Sequence, residues 1–150
     1  MLVADICTEH VVTCTRETPI LAIAAKMRDH HVGAVVVVGH AEGRTVPVGV
    51  ITDRDVVVEA VVPALDRLAE LKAGDLLTRE VVTVDAAADV DRALEIMSEA
   101  GVRRAPVVDP QGAIIGIVTV DDLVETLAAR LIGVVGVIRM QQRRERKQRP

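Results

Sequence analysis

Displaced along itself by 70 residues, the chain lays Asp5-Ile6-Cys7-Thr8-Glu9-His10-Val11-Val12-Thr13 over Asp75-Leu76-Leu77-Thr78-Arg79-Glu80-Val81-Val82-Thr83, with Asp, Thr and Val-Val-Thr coinciding. At the same displacement Met27 meets Met97, Val32 meets Val102, and Val37-Val38 meets Val107-Val108. Beyond Val38 the displacement falls to 67, so the first copy carries three extra residues near positions 40–46. Gly49-Val50-Ile51-Thr52-Asp53-Arg54-Asp55 then returns as Gly116-Ile117-Val118-Thr119-Val120-Asp121-Asp122. A doubling of this length restricts the fold to two copies of one supersecondary unit that bury surface against each other.

Each copy opens with a short β-branched strand, residues 11–15 or 81–84, that leads into a helix. Thr18-Pro19 reads as a helix start, with threonine as the cap and proline pre-set for the first helical position. Ile20, Ile23, Ala24 and Met27 follow at helical spacing, and Val90, Ala93, Leu94 and Met97 repeat the stripe. Valine-rich runs (32–38 and 102–108), turns (40–44 and 109–112) and second strands (46–51 and 113–118) read as hairpins. A second helix is expected from Asp53 to Val61, ended by Pro63, and from Asp121 to about Leu131. The order in each copy is strand, helix, strand, strand, helix, an α+β arrangement. Residues 1–62 form the first repeat, 63–74 a connection with a short helix near 65–71, 75–131 the second repeat, and 132–150 a C-terminal extension. Gly133 and Gly136 against β-branched neighbours leave residues 132–138 open between helix and strand.

In a chain of 150 residues one shared core is the expectation. Apolar runs such as residues 34–38 fall far short of the roughly 20 residues that a membrane span needs. Residues 1–9 show no basic region followed by an apolar core, so a cytoplasmic protein is expected. Cys7 and Cys14 then read as reduced thiols, and the histidines stand at no ligand-like spacing, so no metal site is expected. The chain has no Phe, Tyr or Trp, so its core is aliphatic and any bound base lies between aliphatic walls. A net charge of -4 conceals an asymmetry. Six cations (Arg139, Arg143, Arg144, Arg146, Lys147, Arg149) against Glu145 give the last twelve residues +5 and leave -9 for the rest.

At the repeated turn, threonine followed three residues later by an acid resembles a capping box, which needs no ligand. That reciprocal position prefers Glu or Gln, whereas both copies carry Asp, whose shorter side chain is expected to reach back less readily and to point outward.

The doubled unit resembles the CBS domain, over about residues 4–131. The likeness rests on Val11-Val12-Thr13, the helix ending at Met27, Gly49 to Asp55, Val81-Val82-Thr83, Met97, Arg104-Ala105-Pro106-Val107-Val108-Asp109 and Gly116 to Asp122. It implies a tandem CBS pair, here expected to stand alone, whose sheets face each other about a pseudo-two-fold axis. It also implies two clefts that take adenosine compounds such as AMP, ADP, ATP or S-adenosylmethionine. Asp55 and Asp122 would accept the ribose hydroxyls, Thr52 and Thr119 would contact sugar or phosphate, and each cleft would take its wall from the opposite repeat. One cleft then gathers Thr52, Arg54 and Asp55 with Val82, Val102 and Arg103. The other gathers Thr119, Asp121 and Asp122 with Val12, Val32 and Gly33. Two arginines make the Asp55 cleft the expected phosphate site, while Asp121 adds a second carboxylate to the other. The pattern is departed from at Val35-Val36, which stands where the second copy has Ala105-Pro106, and at Ala88, which stands in the place of Thr18.

No nucleophile with an evident base, phosphate loop or metal-ligand cluster is legible, so a non-catalytic sensor is expected rather than an enzyme. The likeness further implies a homodimer through the second helices, along the apolar faces of residues 56–62 and 123–131, or an unidentified regulated protein as partner. The alternative is a ligand-free scaffold or a nucleic-acid binder using residues 143–149. An acidic body without aromatic side chains offers phosphate contacts but no base reading, so nucleic acid is the lesser expectation.

Overall fold

The structure, a computed structural model, describes residues 1–148; the Arg149 charge of the basic tail lies outside them. The first repeat contains β1 (Thr13–Cys14), α1 (Ile20–His30), β2 (Ala34–Ala41), β3 (Arg44–Thr52) and α2 (Asp53–Asp55). α2 runs on through a π-wound stretch, Val56–Val61, into α3 (Val62–Ala64) and a 3-10 turn, Leu65–Arg67. After α4 (Ala73–Leu76) the second repeat gives β4 (Val84–Asp85), α5 (Val90–Ala100), β5 (Arg104–Val108), β6 (Ile114–Thr119) and α6 (Val120–Gln148). The fold is α+β, with two three-stranded sheets ordered β1-β2-β3 and β4-β5-β6. In each sheet the first pair is parallel and the second antiparallel. The register slips at equivalent points, between Val37 and Val38 and between Val107 and Val108.

Two aliphatic cores lie between the sheets and their helices. Ile20, Ile23 and Met27 of α1 close on Val35, Val37 and Ile51, while Val90, Ala93 and Met97 of α5 close on Ala105, Val107 and Val118. The alternate faces of β2 and β5 are buried as well, at Val36 and Pro106, and β3 meets β5 and β6 across the join.

Each core is completed by the lead segment of the other repeat. Val3, Ile6 and Cys7 join the second core, and Leu71, Ala73, Leu76 and Leu77 join the first. The backbone follows the same exchange: Leu2 bridges Asp89, its equivalent Lys72 bridges Pro19, and Thr8 bridges Ile117. The glycines that open the repeated turn make room for this crossing. A Cβ on Gly49 would stand 2.3 Å from Leu77 Cδ2, and one on Gly116 would stand 2.7 Å from Cys7 Sγ and 3.1 Å from the Thr8 carbonyl oxygen.

Local chemistry departs from expectation at several points. α1 starts at Ile20 without a side-chain cap, and the Thr18 hydroxyl instead accepts the Thr15 N–H at 3.1 Å. In the second repeat Asp89, not the position of Ala88, caps α5 by accepting the Arg92 N–H at 2.8 Å. The hairpin turn narrows to Glu42 and Gly43, both at positive φ (50° and 77°), as a tight two-residue connection requires. Pro63 does not end the helix. The preceding turn widens, with the Val62 N–H reaching back to the Val57 carbonyl, and this π winding takes up the strain that an interior proline would impose on an α-helix. The expected helix near 65–71 is only the 3-10 turn. Residues 132–138, left open by sequence, are helical within α6.

The crossing makes Gly116→Ala the costlier of the two glycine substitutions. Its Cβ presses on backbone at Thr8, whereas the end of Leu77 can swing away from Gly49→Ala. A loss of about 1–3 kcal/mol is expected for Gly116→Ala, with less for Gly49→Ala, read as urea midpoints.

Both cysteines are free, Cys14 buried in the first core and Cys7 half-buried. Burial pushes both thiols above the ordinary 9.0; Glu9 lifts Cys7 further, while Lys26 and the Thr18 hydroxyl pull Cys14 partly back. The thiols of the unfolded chain therefore ionise before those of the folded one. Stability is undiminished below the ordinary thiol value and falls as pH rises through it. Thermal melts between about pH 8 and 10 should record the fall, and Cys14→Ala should flatten it.

Candidate functional site

The two repeated turns adopt one geometry. Thr52 ends β3 in extended conformation and begins α2, and its hydroxyl accepts the Asp55 N–H at 3.1 Å. Asp55 Oδ2 in return accepts the Thr52 N–H at 2.8 Å and the Thr52 hydroxyl at 2.7 Å. Thr119 and Asp122 repeat this at the start of α6, with 3.2, 2.8 and 2.7 Å. The expectation that aspartate would reach back poorly is therefore corrected: three bonds close the ring in both copies. The shorter side chain suffices because the threonine hydroxyl comes to meet it. The closure uses Oδ2 alone, and among the described bonds Oδ1 of neither aspartate takes a partner. Both residues are half-buried, so each turn holds one fixed carboxylate oxygen at the end of the last strand of its sheet.

Strand register sets the neighbours of these turns. Thr52 pairs with Ala34 and Thr119 with Arg104. Arg104 extends across to the first repeat, where its Nη1 stands 3.3 Å from the position a Gly33 Cβ would occupy, with Asp53 Oδ2 3.4 Å from the same point. Gly33 thus sits beside a guanidinium carried by the strand that pairs with Thr119. The lead segment of the first repeat passes the strand that ends in Thr119, with Cys7 against Gly116 and Thr8 bridging Ile117. Val12 and Val32 line an open depression of about 540 Å³ together with His10, Val11, Thr13, Lys26 and His30.

Arg103 does not join Arg54. Its Nη2 pairs with Asp121 Oδ1 at 3.5 Å, and among the described residues no hydrogen bond or ion pair links it to Thr52, Arg54 or Asp55. The cause is local: Val120, between Thr119 and Asp121, donates its backbone N–H to the Arg103 carbonyl, which holds the two charged side chains on adjoining backbone. Arg54 is exposed and donates its backbone N–H to Asp53 Oδ1 at 2.8 Å. Val82 and Val102 are half-buried, Val102 against the second core. Sequence reasoning missed Arg104, His10, Lys26 and His30. Arg104 was legible in principle, since it replaces the Ala34 of the first copy at a position paired with the motif threonine. The other three converge only through the packing of α1 on the segment before β1. No group of three or more potential metal ligands occurs among the described residues, and no helix there is long and apolar enough to cross a membrane.

A family profile for the CBS domain matches residues 3–61 and again 73–129. Among curated proteins, an uncharacterized protein of Methanopyrus kandleri is 35% identical over 82% of this chain, which spans 61% of that protein's length. Hypoxic response protein 1 of Mycobacterium tuberculosis is 35% identical, with 81% of this chain and 82% of that one covered. A crystal structure of Hypoxic Response Protein I with two coordinated zinc ions superposes with a TM-score of 0.70 at 32% identity, covering 83% of this chain and 98% of that one. A CBS domain pair in complex with 5-methylthioadenosine and S-adenosyl-L-methionine superposes with a TM-score of 0.73 at 25% identity, covering 87% and 98%. With both repeats matched and both turns built alike, the chain belongs to the CBS domain family as a tandem pair.

Proposed function

We propose that this CBS pair is a regulatory module that holds an adenosine-containing ligand, AMP, ADP, ATP or S-adenosylmethionine, between its repeats. The observation that carries the reading is the half-used carboxylate. Asp55 and Asp122 each spend Oδ2 on the helix cap and keep Oδ1 as an acceptor in fixed position. Vicinal ribose hydroxyls are two donors, and bonds to a charged acceptor are the stronger kind. Thr52 and Thr119 orient the carboxylate and present their oxygens to the sugar or phosphate. The base lies against Val12 and Val32 in one cleft and against Val82 and Val102 in the other.

The choice of phosphate site reverses the expectation from sequence. Arg103 stands by Asp121 in an exposed pair at 3.5 Å, so its charge lies beside the extra carboxylate of the Asp122 cleft and is not paired with Arg54. Arg104 stands beside Gly33, and His10, Lys26 and His30 surround Val12 and Val32. We therefore assign the phosphorylated ligand to the cleft of Thr119, Asp122, Val12, Val32 and Gly33, leaving the Asp55 cleft for a less charged adenosine compound. Binding that differs between two packings of the repeats shifts the balance between them, and contacts with a second copy or a regulated protein pass the shift on.

Isothermal titration of AMP and ATP tests the assignment. Asp122→Ala should weaken binding at least tenfold and Asp55→Ala clearly less. A greater loss from Asp55→Ala returns the phosphate to that cleft. The absence of binding heat with AMP, ATP and S-adenosylmethionine alike removes the nucleotide reading.

A further inference from the structure

The two lead segments cross alike at first and then part. Leu2 bridges Asp89 and its equivalent Lys72 bridges Pro19. Thr8 then exchanges backbone bonds of 2.9 and 3.0 Å with Ile117, adding one residue to the edge of β6. The equivalents in the other half are Thr78 and Val50, and among the described residues no backbone bond joins them. Val50 pairs with Val36 as Ile117 pairs with Pro106, so it too turns its N–H and C=O outward from the edge of its sheet. A half-buried residue of β3 thus holds out a donor and an acceptor with no backbone partner among the described bonds, where such groups are ordinarily paired.

Two features keep this half open. The Cys7 N–H reaches back four residues to the Val3 carbonyl at 2.9 Å, whereas the Leu77 N–H reaches back three, to the Gly74 carbonyl at 3.4 Å, so the two lead turns end differently. The three atoms nearest to a Cβ added at Gly116 are Cys7 Sγ, Cys7 Cβ and the Thr8 carbonyl oxygen; at Gly49 they are side-chain carbons of Leu77, Cγ, Cδ1 and Cδ2. An isobutyl group in the place of a thiol spaces the second lead segment off its strand. Residues 78–80 then run exposed, outside any helix or strand. The edge they leave free is short, because Pro47 and the slip between Val37 and Val38 interrupt it, so it suits a one-residue bridge and not an added strand.

We infer that residues 78–80 are a strap with two positions: open, as in this structure, and closed onto β3 by a Thr78–Val50 backbone pair that copies Thr8–Ile117, with Leu77 as the prop between them. The bridged half shows what closure does. Val12, four residues beyond Thr8, lines a depression of about 540 Å³, and Val82 stands four residues beyond Thr78. Closing the strap draws Val82 towards the end of β3 that carries Thr52 and Asp55. This coupling rests on the nucleotide reading and gives it two packings to choose between: a ligand held between Asp55 and Val82 favours the closed position, and an empty cleft the open one.

Amide exchange and scalar couplings across hydrogen bonds, read by NMR on the full chain, test the strap. Without ligand the Ile117–Thr8 coupling should be present and the Val50–Thr78 coupling absent, and the Val50 amide should exchange about tenfold faster than that of Ile117. Leu77→Ala removes the prop. The Val50–Thr78 coupling should then appear, and Val50 exchange should slow about tenfold relative to the neighbouring Ile51 amide, which corrects for the lost packing of Leu77. A Val50–Thr78 coupling already present in the unsubstituted, ligand-free chain, or still absent from Leu77→Ala, overturns the strap. Saturating AMP, ATP or S-adenosylmethionine should bring the same coupling into the unsubstituted chain. A ligand that shifts the Asp55 and Val82 signals and leaves Val50 unpaired overturns the link to the site. A chain that binds none of the three fails the nucleotide reading instead, and Leu77→Ala still decides the strap.

Discussion

The contact on which both halves depend is the crossing of lead segments over the motif glycines. Leu77 lies on Gly49 and Cys7 on Gly116, and in each case a methyl group in the glycine's place would collide with the arriving segment. Because the arriving segment belongs to the opposite repeat, neither core is closed by its own repeat alone. The same crossing brings the lead segment of the first repeat, at Cys7, against the glycine that opens the second repeated turn. Packing and site are consequences of one exchange.

The repeated turn joins two tasks that are usually separate. A helix N-terminus needs acceptors for its free N–H groups, and a carboxylate with two oxygens can supply one and keep the other. Glutamate would serve the cap as well, but with an extra rotatable bond its second oxygen would be less firmly held. Aspartate, drawn in by a threonine hydroxyl at 2.7 Å in both copies, gives a capped helix and a fixed acceptor from the same side chain.

Much of this was legible in the sequence, for reasons that particular residues make plain. The two hydrophobic stripes are short-range patterns, their return 70 residues later is a plain repeat, and each appears in the structure. What escaped depended on neighbours distant in sequence or on competition within a turn. Thr18 had a rival donor in Thr15, Pro63 was accommodated by a π turn that no local signal announces, and Arg103 found Asp121 through a backbone bond across a hairpin. The length of α6 was hidden by Gly133 and Gly136, which weaken the helical signal where the chain leaves its own body. The cations around Val12 and Val32 escaped because His10 and Lys26 meet only after α1 has folded back.

The exchange of lead segments also bears on the order in which the chain is made. Val3 donates its backbone N–H to Ala88 and Thr8 exchanges two backbone bonds with Ile117, whereas the cover of the first core, residues 71–77, follows that repeat directly. A chain emerging from its N-terminus can therefore close the first core once residue 77 is free, while residues 1–8 wait unburied for more than a hundred residues of synthesis. During that interval the segment that will form the Val3–Asp5 3-10 turn lacks the second-repeat core that buries Val3, and the first repeat already holds the surface beside which that core must form. The doubled architecture thus imposes a vectorial folding order on two halves whose finished structures are nearly alike.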